Sequence, residues 1–157
     1  MNFIPYKRGL IKMKYRKSVF IVAYAKTLKG INYLVLKRKL HWSGWEFPKG
    51  AKRFYETYGS AVKRELKEET GLKPIKIKKF DIKGEYNYPT KLPDRLKYSG
   101  QSYILYAVEI KKEKIKLDKI EHLDYKWLNF NQAMKKLTWR NQRKCLKIVN
   151  DWLKNNI

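Results

Sequence analysis

Residues 50–72, GAKRFYETYGSAVKRELKEETGL, decide how this chain is read. Gly50 is followed by Glu56, then by the run Arg64-Glu65-Leu66-Lys67-Glu68-Glu69, then by Gly71-Leu72. At ~100° per residue, an α-helix places Glu65, Glu68 and Glu69 within roughly a 100° arc of one face. Tyr58, Ala61 and Val62 fall on the same side one or two turns earlier, and Leu66 borders it. Ser60, Lys63, Arg64 and Lys67 fall opposite, so the pattern predicts carboxylates continuing an inward apolar stripe and basic residues facing solvent. Carboxylates so placed repel one another and lose hydration. A divalent cation offsets both costs, and a hard cation such as Mg²⁺ prefers oxygen ligands. The phase therefore predicts a metal site; a solvated acidic helix face is the plain alternative.

On either side the pattern is that of an α/β protein with a mixed sheet. Residues 18–26 (SVFIVAYAK) and 32–38 (NYLVLKR) read as strands joined across Lys29-Gly30. Residues 39–56 read as a loop with a short extended piece at Trp45-Glu46-Phe47, and the acidic helix spans about 57–70, stopped by Gly71. Two strands are predicted over 74–82 and 83–89, a strong one over 103–110, and a last one over 124–128. A short helix from about Asn131 and a longer one through 140–154 follow, the latter with Leu146, Val149, Trp152 and Leu153 at helical spacing. One early and one late helix can cover the two sheet faces.

A chain of 157 residues, 43% hydrophobic and 15% aromatic, has length and apolar content for one domain, residues 1–157, with residues 1–15 a basic N-terminal extension. That extension lacks the apolar core of a secretory signal, and no run approaches the ~20 apolar residues of a membrane span. The single Cys145 excludes an intrachain disulfide and a cysteine-based zinc cluster, and reads as a buried inert thiol. A soluble cytoplasmic protein with no membrane partner is expected. Lys+Arg 38 against Asp+Glu 14 gives a net charge of +24, which admits RNA as a partner through a basic surface. The lysines are spread along the chain, as compositional bias of the source produces without a designed binding face, so the charge permits RNA and does not prove it. Oligomeric state is not legible.

The quoted residues match the Nudix box, G-x5-E-x7-R-E-U-x-E-E-x-G-U with U aliphatic, at Gly50, Glu56, Arg64, Glu65, Leu66, Glu68, Glu69, Gly71 and Leu72. The chain thus resembles a Nudix hydrolase over roughly residues 15–155. The resemblance implies a Nudix-type α/β/α sandwich that hydrolyses a nucleoside diphosphate linkage with Mg²⁺ or Mn²⁺. It implies metal ligation by Glu65, Glu68 and Glu69 with the Gly50 carbonyl, and a catalytic base at Glu65 or Glu69. Arg64 would orient a carboxylate, with Glu56 in support as its partner or as an outer ligand. Lys49 and Arg38, beside the box, are candidate phosphate clamps, with Lys37, Lys52 and Arg53 as further basic neighbours; surface solvation is the alternative for each.

Three segments lean toward hydrolases of dinucleoside polyphosphates such as diadenosine tetraphosphate, releasing two mononucleotides. YLVLKRKLHWSGWEFPKG resembles that branch's approach to the box, as well as that of RNA 5′-pyrophosphohydrolases. KGEYNYP places Tyr86 and Tyr88 where a base-stacking tyrosine is found, and IEHLDYKWLNF resembles a segment with a distal acidic metal ligand, Glu121, and a second stacking platform, Tyr125. Ser99-Gly100-Gln101 resembles a turn in relatives that remove pyrophosphate from RNA 5′ ends, which makes an RNA 5′-pyrophosphohydrolase or decapping-type enzyme the alternative. Pro89 has a fainter likeness to the ADP-ribose branch; a nucleoside triphosphate pyrophosphatase and a non-catalytic binding module are further rivals. Trp45, Phe47 and Trp127 read as core. His41 and His122 read as exposed-loop residues without a second His or Cys at ligand spacing, so zinc is not expected. The box loop departs from the family's wording: Ala51-Lys52-Arg53-Phe54-Tyr55 brings a tyrosine where glycine is common.

Overall fold

The computed structural model describes residues 14–156. Residues 1–13 of the basic extension lie outside the described residues, and Tyr15 already belongs to the first strand.

The elements run β1 (Tyr15–Thr27), β2 (Gly30–Arg38), β3 (Gly44–Glu46), β4 (Lys49–Ala51), α1 (Tyr58–Thr70), β5 (Lys76–Asn87), β6 (Gly100–Glu109), β7 (His122–Leu128), α2 (Phe130–Lys136) and α3 (Arg140–Asn155). A 3₁₀ turn, Pro93–Arg95, interrupts the loop between β5 and β6. The sheet order is β3-β2-β1-β6-β5, with β4 also on β1 and β7 also on β2. The pair β1–β6 is parallel and the remaining pairs are antiparallel, so the sheet is mixed.

Strand periodicity divides the apolar residues between two layers. Phe20, Val22 and Tyr24 of β1, Tyr33 and Val35 of β2, and Tyr103, Leu105 and Ala107 of β6 face α2 and α3, against Cys145, Leu146, Val149 and Leu153. Val19, Ile21, Ala23, Leu34, Leu36, Ile104, Tyr106 and Val108 face α1, against Ala61, Val62 and Leu66. The three central strands are therefore buried on both faces, and the architecture is an α/β/α sandwich. Cys145 is buried, and burial pushes its thiol up to about 11. Trp45 and Phe47 pack in the α3-side core and Trp127 against the α1-side core.

Two sequence expectations are corrected. Residues 74–82 and 83–89 are not two strands but one, β5, whose pairing with β6 shifts register between Lys79 and Lys83. A bulge breaks the side-chain alternation that otherwise marks a continuous strand. His122 is not an exposed-loop residue: it opens β7 and is 1% exposed.

The acidic helix starts at Thr57, whose hydroxyl accepts the Ser60 N–H at 3.1 Å, and ends at Gly71 with φ 77°. β4 runs beside β1 through Val19↔Gly50 and Phe20↔Lys49, which brings Gly50 under the carboxylate face of α1.

Candidate metal and nucleotide site

The three box glutamates are graded in burial along α1. The Glu69 residue is 2% exposed, and the side chains of Glu65 and Glu68 are 13% and 48% exposed. Gly50 lies directly against Glu65: a Cβ built at position 50 would overlap the Glu65 carboxyl group. The Lys49 N–H donates to Glu69 Oε2 at 3.1 Å, while the buried Glu69 Oε1 has no hydrogen-bond partner among the described residues. Across the sheet edge, ligand atoms of Glu69, Glu121 and His122 lie within 4.8 Å of one another.

Arg64 does not face solvent as the helical phase predicts. Its guanidinium turns back over β4 and the α1 entry, donating to Glu56 Oε1 at 2.6 Å, Glu56 Oε2 at 3.1 Å, Glu65 Oε1 at 2.7 Å, Glu68 Oε2 at 3.2 Å and the Ala51 carbonyl at 2.7 Å. A long side chain can bend across a helix face when several acceptors converge on it. The Arg64 hydrogen bond holds Glu56 down to about 2 against the pull of its partial desolvation. Burial pushes Glu65 up to about 7, although Arg64 pulls the other way and Glu68 and Glu121 add repulsion. Burial pushes Glu69 up as well, reinforced by Glu65, Glu121 and Glu46.

This is an anionic set under strain from its own charge, with one buried carboxylate oxygen unpartnered and a glycine leaving room for another carboxylate. Such oxygen donors suit a hard divalent cation, which Glu65, Glu69 and Glu121 could hold, with the Gly50 carbonyl and the more exposed Glu68 as further candidates. A polar cleft of about 40 Å³ opens beside them, walled by Gly50, Glu65 and Glu121 and by the cationic side chains Arg16, Arg38, Lys49 and Arg95. Paired anionic and cationic walls suit a metal–polyphosphate ligand.

Beneath the cleft lies a buried ion network. Arg38 Nη1 donates to Glu46 Oε1 at 3.0 Å, His122 Nε2 lies 3.1 Å from the same oxygen, and Lys49 Nζ is 3.3 Å from Glu46 Oε2. Arg38 also lies 3.8 Å from Glu121. Burial raises the Glu46 carboxyl, but Lys49, the His122 hydrogen bond and Arg38 outweigh it and bring it to about 2. Burial lowers the Lys49 ammonium, yet Glu46 more than compensates and its pKa is raised.

Lys49 also reaches a second space. A cavity of about 720 Å³ is walled by Phe20, Trp42, Tyr86, Tyr88 and Trp139, with polar groups from Asn87, Asn141 and Gln142 at its edge. The Lys49 Nζ lies 4.9 Å from the Trp42 ring centroid and 5.3 Å from that of Tyr86, and donates to the Tyr86 hydroxyl at 3.2 Å. Tyr88 lends its ring to the cavity wall, and its hydroxyl donates to Gln101 at 3.0 Å and accepts from Arg95 at 3.3 Å. The volume and the mixed aromatic and polar wall suit a nucleoside-sized ligand.

Tyr125 pairs with Leu36 on β2 and packs half-buried against the α1-side core, on the face of the sheet opposite the aromatic cavity, so it lines no wall of that cavity. Sequence reasoning missed Glu46, His122, Arg16, Arg95, Gln101, Trp42 and Trp139. Only Glu46 carried a usable signal: in Trp45-Glu46-Phe47, strand alternation buries the two rings on one face and turns the glutamate to the other. The others meet through pairing of distant segments.

Residues 14–147 match the model of the NUDIX domain. An RNA pyrophosphohydrolase of a Nitratiruptor species is 30% identical over 134 residues, 82% of this chain and 86% of that protein. A NUDIX hydrolase structure from Listeria monocytogenes superposes with a TM-score of 0.74 at 21% identity, covering 92% of this chain and 97% of the other. A C. elegans Ap4A hydrolase binary complex superposes at 0.68 with 23% identity, covering 89% and 98%. The NUDIX domain of Shewanella oneidensis NrtR, complexed with ADP ribose, superposes at 0.73 with 16% identity, covering 97% and 94%.

Proposed function

This chain belongs to the NUDIX family, and from that premise we propose that it hydrolyses the polyphosphate bridge of dinucleoside polyphosphates such as diadenosine tetraphosphate. The observation that carries the reading is the junction at Lys49, where a carboxylate-and-arginine cleft meets an aromatic cavity of nucleoside size. One base stacks among Trp42, Tyr86, Tyr88 and Trp139, and the phosphates lie over Glu65, Glu69 and Gly50.

A divalent cation, which Glu65, Glu69 and Glu121 would hold, would supply Lewis acidity toward water and neutralise charge on the leaving phosphate. The chain's own residues do the rest. Arg16, Arg38, Arg95 and Lys49 hold the phosphates by charge and keep them in line, and positioning of this kind supplies much of the rate in phosphoryl transfer. Each carboxylate has one oxygen engaged, Glu65 Oε1 by Arg64 and Glu69 Oε2 by the Lys49 N–H; of the two we assign Glu69, whose deeper burial strengthens its hold on a proton, as the group that takes the proton of the attacking water. Arg64 holds Glu56, Glu65 and Glu68 in place. A cytoplasmic setting suits such a substrate, and among the described residues no helix is long and apolar enough to cross a membrane.

A second reading, removal of pyrophosphate from RNA 5′ ends, is favoured by the relative at 30% identity and by the +24 charge. A parallel assay with Mg²⁺ on diadenosine tetraphosphate and on 5′-triphosphorylated RNA, at low and moderate salt, separates them. Release of ATP plus AMP with RNA poorly processed supports the first reading. Preferred turnover of RNA, falling steeply with salt, replaces it with the second. Glu69→Gln should cost about 10²–10⁴ in kcat, the range for loss of a general base; turnover that survives it removes the proposed role.

A further inference from the structure

The aromatic cavity has room for one nucleoside, and Tyr125 is not among its walls. We propose that Phe54 and Tyr55, on the loop between β4 and α1, form a platform and stack the second base of a dinucleoside polyphosphate; this rests on the proposed dinucleotide reading.

Both rings stand in solvent, Phe54 at 95% and Tyr55 at 68% exposed. An isolated exposed apolar residue is ordinary, and Leu28 or Ile120 are examples here. This pair differs in three respects. The rings are adjacent and in edge-to-face contact, with centroids 5.3 Å apart at 89°. Their loop is anchored: the Arg53 N–H donates to Glu56 Oε1 at 2.8 Å, the Lys52 N–H to the Lys17 carbonyl at 2.8 Å, and Arg53 Nη1 to the Tyr55 hydroxyl at 3.2 Å. The same Arg53 guanidinium lies 3.8 Å from Glu68, the outermost of the box carboxylates, so the pair stands at the rim of the metal site.

Strand pairing fixes which rim. Along β4, Lys49 pairs with Phe20, a wall of the aromatic cavity, whereas Ala51 pairs with Ser18 and leads away from it into the loop. Cavity and ring pair thus flank Gly50 from opposite ends of one short strand. Phe54 lies five positions beyond Lys49, a reach of at most ~18 Å, which an extended polyphosphate chain can follow. Lys52 and Arg53 precede the rings and complement the anionic bridge. Exposed aromatics interleaved with basic residues are the usual device for stacking a base without reading its identity. The loop backbone and the Tyr55 hydroxyl are held in advance by these hydrogen bonds, which lowers the ordering cost of binding.

The test compares diadenosine tetraphosphate with adenosine 5′-tetraphosphate, which carries the same phosphates and one nucleoside. The quantity is the ratio of kcat/KM for the two substrates, in the wild-type chain, Phe54→Ala/Tyr55→Ala and Phe54→Trp. Loss of one stacked base is expected to lower the ratio about tenfold in the double variant, while Phe54→Trp preserves it. Added diadenosine tetraphosphate should quench Phe54→Trp more than the wild-type chain, in which Trp42 and Trp139 line the aromatic cavity, and adenosine tetraphosphate should quench the two equally. Both positions are exposed, so an unchanged melting temperature will show the fold intact. A ratio unchanged in the double variant, with no selective quenching, overturns the platform while leaving the dinucleotide reading standing. A wild-type chain that does not turn over diadenosine tetraphosphate overturns both.

Discussion

Gly50 and Glu65 occupy one another's space: the Glu65 carboxyl fills the volume that any side chain at position 50 would need. A side chain here would force the Glu65 carboxyl to move, and no special backbone angle calls for the glycine. Gly50→Ala would drive the Glu65 carboxylate away from β4 and from its Arg64 bond. Misplacement of about 1 Å in a reacting constellation costs on the order of 100-fold, and kcat/KM is expected to fall by that much. Steady-state kinetics on the preferred substrate will show it; near-normal turnover would mean that Glu65 need not sit where it does.

Arg64 gathers three carboxylates and a carbonyl through a planar fork that an ammonium cannot reproduce. Arg64→Lys retains the charge and loses most of these bonds. We expect a stability loss of about 1–3 kcal/mol in urea denaturation, the range for one or two charge-assisted hydrogen bonds, together with weaker Mg²⁺ binding. An unchanged denaturation midpoint would show the fork to be dispensable.

Metal binding should be linked to pH through Glu65, which burial pushes up to about 7. A carboxyl raised in the folded state contributes stability that is full below its unfolded value, near ~4.3. That contribution is lost as pH rises through about 7. A bound divalent cation would displace the proton and remove the repulsion. The rise in melting temperature on adding Mg²⁺ is therefore expected to grow between about pH 6 and about pH 8, and Glu65→Gln should flatten that slope. A metal effect independent of pH would contradict the buried position of this carboxyl.

Glu46 behaves in the opposite sense. Its carboxyl is lowered from 4.5 to about 2, so the stability it contributes is present above about 4.5 and lost as pH falls through about 2. Glu46→Gln leaves Arg38 and Lys49 buried without their counter-charge. Breaking a buried ion pair in this way costs about 3–5 kcal/mol, which chemical denaturation at neutral pH will resolve.

Tyr125 offers a contrast. Packed against the α1-side core, it should matter to stability and not to substrate affinity. Tyr125→Ala is expected to cost about 1–2 kcal/mol from lost apolar burial with KM unchanged. A large rise in KM at unchanged stability would instead support its role as a second base platform.

Sequence is most informative here where function and local periodicity coincide. The phase of α1, its stop at Gly71, the alternation of β1, β2 and β6, and the amphipathic α3 follow from spacing between near neighbours. It fails where one segment's meaning depends on another. Alternation predicts two strands where β5 is continuous, because a bulge imitates a break when its partner β6 is unknown. His122 reads as a loop residue because the charged stretch before it hides the start of β7, which pairs with β2. Arg64 reads as solvent-facing because helical phase gives the direction of a Cβ and not the reach of a guanidinium.

The family, the α/β layering and the carboxylate set on α1 are all written in the order of the amino acids. Each depends on residues within a helical turn or strand of one another, where backbone geometry fixes the relation. The shape of the site required the folded chain. Arg38, Glu46, Lys49 and His122 close one buried network, Trp42 meets Trp139 and Tyr88 around one cavity, and Tyr125 turns to the other face. Those contacts join residues far apart along the chain, and their partners are set by strand register and by which face each strand buries.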